Sequence, residues 1–77
     1  MQKFSIEYHR SIGVGDTVTS LIYGQHRGVK GRVISKAQIN YGYFKRLIIE
    51  FEGGYKATIE QKYLVYWNDW VESDGKI

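Results

Sequence analysis

The sequence contains no cysteine and no proline. Without cysteine there is no disulfide, no thiol nucleophile and no cysteine-ligated zinc, and the chain suits a reducing compartment. Without proline, no X-Pro bond complicates a turn. No apolar run approaches the roughly 20 residues that span a bilayer. The opening MQKFSIEYHR lacks the apolar stretch of a signal peptide, so a soluble, cytoplasmic protein is expected. Only His9 and His26 titrate near neutral pH, and no sequence pattern joins either to a nucleophile or a carboxylate. Two lone histidines make no metal site. No glycine-rich run ends in Lys-Ser or Lys-Thr, which excludes a nucleotide-binding P-loop. Neither an enzyme, nor a cofactor, nor a small-molecule substrate is expected. The 77 residues allow one domain with a small core.

Acidic residues are missing from one long window. Between Thr17 and Ile49 there is none, while Arg27, Lys30, Arg32, Lys36, Lys45 and Arg46 all lie there. The end of the chain has the opposite bias, with Asp69, Glu72 and Asp74 against Lys76. A one-signed region beside an opposite tail points to a partner-facing surface. The bland alternative is a set of solvated loops that use Lys and Arg.

Apolar periodicity gives the elements. Residues 1–14 read as an extended lead-in: Phe4, Ile6 and Tyr8 alternate, although Phe4, Tyr8 and Ile12 also fit helical spacing. Asp16–Tyr23 and Gly31–Ala37 read as strands, with a loop between and with Val33 inward and Arg32 outward. Lys45–Glu52 is the clearest strand, with Leu47, Ile49 and Phe51 on one face. Gly53-Gly54 signals a two-residue hairpin turn before Tyr55–Ile59. Glu60–Tyr63 reads as one helical turn and Leu64–Trp67 as a last strand. Residues 68–77 read as an acidic tail whose end lacks order, with Trp70 its one large apolar group. Five short strands, tight turns and almost no helix predict an all-β small barrel or sandwich.

The stretch Gly15–Val33, GDTVTSLIYGQHRGVKGRV, resembles a KOW motif on an SH3-like barrel. The residues that carry the resemblance are Gly15-Asp16, Val18, Gly24, Arg27-Gly28, Gly31, Arg32 and Val33. Arg27 stands where the motif has lysine, and the first strand is one residue longer before Gly24, which a bulge would absorb. The resemblance implies a five-stranded SH3-like barrel over residues 15–67, with a short helical turn before the last strand. It also implies contacts with RNA or with proteins, since such barrels occur in ribosomal proteins and elongation factors. Function does not follow from fold.

Two binding chemistries compete. In the first, the chain binds RNA or DNA through a basic-aromatic face. Arg27, Lys30, Arg32, Lys36, Lys45 and Arg46 would neutralise phosphates. Tyr23, His26, Tyr41 and Tyr43 would stack on bases, with Phe44 a weaker candidate, and Gln25, Gln38 and Asn40 would reach base edges. The 24–32 and 38–46 loops would share that face. In the second, the chain is a protein-interaction module. It would be a small accessory or regulatory protein, such as a phage-encoded factor, that docks on a larger protein or ribonucleoprotein complex. Trp70 is either packed on the domain or an exposed anchor for such a partner. Glu50 and Glu52 are expected to pair across strands with lysines such as Lys56.

Overall fold

The structure is a computed structural model and describes residues 4–22, 24, 26–38 and 42–77. It contains α1 (Ile6–Arg10), β1 (Thr17–Ser20), β2 (Gly31–Lys36), β3 (Arg46–Phe51), β4 (Lys56–Glu60), a 3-10 turn (Gln61–Tyr63), β5 (Leu64–Tyr66) and α2 (Trp67–Glu72). The five strands form one antiparallel sheet in the order β4-β3-β2-β1-β5, with β4 and β5 at its edges.

Alternation places the core. On β3, Leu47, Ile49 and Phe51 are buried, and the strand's other face carries Arg46, Ile48 and Glu50. Register then aligns Leu47 with Ile59, Ile49 with Val33, and Phe51 with Gly31. Val18 and Leu64 complete the apolar side of the sheet, and Ile12 covers it from the N-terminal segment. At Gly31 the backbone runs close to its neighbours. A Cβ there would lie 2.7 Å from Ile49 Cγ2 and 2.8 Å from Phe51 Cδ1. A register shift between Val33 and Ser35 leaves Ile34 as a bulge, which bends β2.

The hairpin between β3 and β4 differs from the expected two-residue turn. Glu50 pairs with Lys56, and Phe51 N–H donates to the Tyr55 carbonyl at 2.7 Å, so the loop is the three residues Glu52–Gly54. The Glu50–Lys56 register does place these opposite charges across the strands.

The two chain ends depart from expectation more strongly. The predicted extended lead-in is instead a capped helix. Ser5 Oγ accepts from the Tyr8 N–H at 3.1 Å, Glu7 occupies the first turn, and His9 and Arg10 occupy the last. A helix of five residues does not persist alone. It is held by tertiary contacts. His9 is buried and donates from Nδ1 to the Leu64 carbonyl at 2.9 Å. Tyr8 Oη donates to Asp69 Oδ2 at 2.5 Å and accepts from the Tyr66 N–H at 3.0 Å. Burial, reinforced by the Asp69 hydrogen bond, holds the Tyr8 phenol well above its ordinary value of 10.0.

The acidic tail is also folded. Trp67, Trp70 and Val71 follow helical spacing in α2, which packs against β1 and β5. Trp67 opens this helix rather than ending β5. Thr19 and Val65 are register partners on the face away from the core, and both are fully buried. β1 is therefore covered on both sides. No helix among the described residues is long and apolar enough to cross a membrane.

Candidate nucleic-acid interface

β2 separates the two loops, 24–32 and 38–46, that the sequence assigns to one face. One loop precedes its first residue and the other follows its last, so six residues of strand put them about 17 Å apart. Tyr23, Gln25, Asn40 and Tyr41 lie outside the described residues. The two ends can be compared through the residues that remain.

At the first end the basic loop turns inward. Arg27 Nη1 donates to the Leu21 carbonyl at 2.5 Å, and Nη2 donates to the Ile77 carbonyl at 2.9 Å. The same guanidinium lies 5.2 Å from the Trp70 ring centroid. Trp70 is half-buried, and its ring is seated against two glycines. Gly28 has φ +79°, and its missing Cβ would lie 3.1 Å from Trp70 Cζ2; Gly75 has φ +73° and leaves 3.2 Å to the same atom. His26 is half-buried and stacks on Phe51, with centroids 4.6 Å apart and planes 10° from parallel. Lys30 and Arg32 are exposed, and Glu50 and Glu52 reach the same place from the end of β3. Arg32 is in register with Glu50, and the Lys30 carbonyl accepts from the Glu52 N–H at 2.9 Å. All four residues line one cleft of about 310 Å³. Acidic residues absent from the linear window thus share this cleft with the cations.

At the opposite end the charges gather. Lys36 ends β2, Lys45 immediately precedes β3, Arg46 begins it, and the Ala37 N–H donates to the Arg46 carbonyl at 2.9 Å. Lys36 and Lys45 are exposed. Arg46 is half-buried and in register with Glu60, whose carboxylate is 3.4 Å from Lys62 Nζ. α1 adds a cation that the periodicity of the sequence concealed. The Arg10 guanidinium lies 4.4 Å from the centroid of the Tyr43 ring, and Tyr43 is 60% exposed. Glu7, one turn earlier on α1, is the acidic residue of that helix.

No protein-family model, curated protein or solved structure matches the chain.

Gln61 organises the basic end. It is 1% exposed, yet its amide is fully engaged. Oε1 accepts from the Lys45 N–H at 3.0 Å, and Nε2 donates to the carbonyls of Arg10 at 3.2 Å and Ile12 at 2.8 Å. One side chain thus ties the end of α1, the start of β3 and the 3-10 turn together. Lys36, Tyr43, Lys45 and Arg46 are named by the sequence alone, whereas Arg10 and Gln61 join them only in the structure. Arg10 follows from the signature Ser5, Glu7, Arg10, a capped short helix with charges matched to its dipole. A buried glutamine in a polar turn leaves no such signal.

Proposed function

We propose that the chain is a non-enzymatic nucleic-acid-binding module of the SH3-like small-barrel type, and that it holds phosphates at the Lys36–Lys45 end of the sheet. The fold part is supported by the strand order β4-β3-β2-β1-β5, the bulged β2 and the 3-10 turn between β4 and β5. The KOW-like residues of Gly15–Val33 lie in the β1–β2 unit of that order. The observation that carries the binding part is that Lys36, Lys45 and Arg46 sit at the adjoining ends of β2 and β3, while Arg10 lies over the exposed Tyr43 and Gln61 bonds the backbone of both Arg10 and Lys45. Cations on a fixed frame bind phosphate by releasing counterions, and they do not have to be ordered first. Lys30 and Arg32, beside Glu50 and Glu52, contribute less.

The alternative is docking on a protein or ribonucleoprotein. Seated between Gly28 and Gly75, Trp70 has less surface to offer a protein partner. An amide chemical-shift titration with short RNA, single-stranded DNA and duplex, at two salt concentrations, separates the readings. Shifts at Arg10, Lys36, Lys45 and Arg46 that weaken with salt are expected. Three phosphate contacts on a single strand give a log–log salt slope of about −2. Silence with all three ligands would remove the nucleic-acid reading and leave protein docking.

A further inference from the structure

We propose that Tyr43 and Arg10 form a platform on which one unpaired nucleobase stacks, so that this end of the sheet selects single strands over duplex. The inference rests on the nucleic-acid reading above. It adds the form of the ligand and the groups that meet it.

Tyr43 is a large ring left 60% exposed, yet it is braced. Arg10 approaches it to 4.4 Å from the centroid. Phe44 meets it edge to face, with centroids 5.6 Å apart and planes at 86°. Phe44 in turn faces His9 at 6.5 Å, and His9 is buried and hydrogen-bonded to Leu64. The chain of contacts runs from solvent to the sheet. A ring positioned in this way loses little freedom when a base settles on it. With the residue 60% exposed, ring surface beyond the guanidinium remains for a flat π-surface.

The neighbouring cation is placed by the same anchor. Gln61 bonds both the Lys45 N–H and the Arg10 carbonyl, which fixes the backbone of the lysine relative to that of the arginine in the stacking pair. A base on Tyr43 would present its flanking phosphates to Lys45 and Lys36. In a duplex the bases are paired and stacked internally, so the ring has nothing to meet and only the phosphate contacts remain.

The test uses the full chain with fluorescently labelled single-stranded RNA, single-stranded DNA of the same sequence, and the matched duplex. Fluorescence anisotropy gives the affinities. Tyr43→Leu is expected to weaken single-strand binding about tenfold, with duplex binding and the salt slope unchanged. Tyr43→Phe keeps the ring and should stay near wild type. The loss should be equal for RNA and DNA, because every base has a π-face. Lys45→Gln should instead reduce the slope on single strands by about 0.7. Stacking is overturned if Tyr43→Leu binds single strands as well as wild type, loses duplex binding equally, or weakens on one sugar type alone. In each of those cases wild-type binding survives, and with it the broader reading. If the wild type binds none of the three ligands, both fail.

Discussion

Replacing Gln61 with leucine tests the frame on which the binding end is built. Leucine has similar bulk and no polar atoms, so the change removes hydrogen bonds without opening a large hole. Three backbone groups lose their partner: the Lys45 N–H, the Arg10 carbonyl and the Ile12 carbonyl. The first two lie in partly buried bonds and can turn to water, which costs about 0.5–1.5 kcal/mol each. The Ile12 bond is buried, and an unsatisfied group there costs about 1–3 kcal/mol. Leucine's better burial offsets part of the sum, leaving roughly 2–4 kcal/mol. A domain of this length has only about 4–12 kcal/mol in total. At about 4–8 °C per kcal/mol, the melting temperature should fall by about 10–25 °C. Circular dichroism melts, with urea unfolding as a second measure, read this directly. Gln61→Glu is the comparator. It keeps an acceptor for Lys45 but turns oxygen toward two carbonyls, so it should be at least as unstable at neutral pH and recover partly on acidification. A Gln61→Leu melting temperature within about 2 °C of wild type would refute the reasoning, since that is well under 1 kcal/mol.

Three other substitutions probe the packing. The Thr19 hydroxyl is fully buried with no hydrogen-bond partner, so Thr19→Val should raise stability by about 1 kcal/mol in urea unfolding. Gly31→Ala drives a methyl into Ile49 and Phe51 and should cost about 1–3 kcal/mol by the same measurement. Tyr8→Phe removes the bond to Asp69 and the acceptor for the Tyr66 N–H, and its pH dependence carries a sign. The folded phenol is held above 10.0, so its contribution is intact below that pH and is lost as the unfolded chain ionises above it. Wild type should therefore lose stability more steeply than Tyr8→Phe as alkaline pH rises, in melts taken across that range.

Strands were legible where one face is wet and the other dry. Leu47, Ile49 and Phe51 alternate with Arg46, Ile48 and Glu50, and their burial follows that pattern. The turn at Gln61–Tyr63 was also readable from its composition. α1 was misread because Phe4, Ile6 and Tyr8 satisfy both periods, and the cap at Ser5 decides between them. α2 was hidden by its charge: acidic residues suggested a solvated tail, while Trp70 had a seat prepared by Gly28 and Gly75. The separation of the two basic loops was not legible for a different reason. A linear charge count cannot show that Glu50 and Glu52 return beside Lys30 and Arg32, or that six residues of β2 keep the two basic loops apart.

The hydrogen bond between Tyr8 and Asp69 joins residues 61 positions apart. Each of the helices it links is shorter than the roughly 12–15 residues at which an isolated helix becomes even marginal. Neither helix therefore owns its stability, and each lends order to the other. Tyr8→Phe is therefore expected to speed amide exchange in both helices while β1 to β4 stay protected. Amide exchange in the two helices should thus follow one shared clock. Because Arg10 rides on α1, the shape of the basic end is set in part by a carboxylate carried on α2.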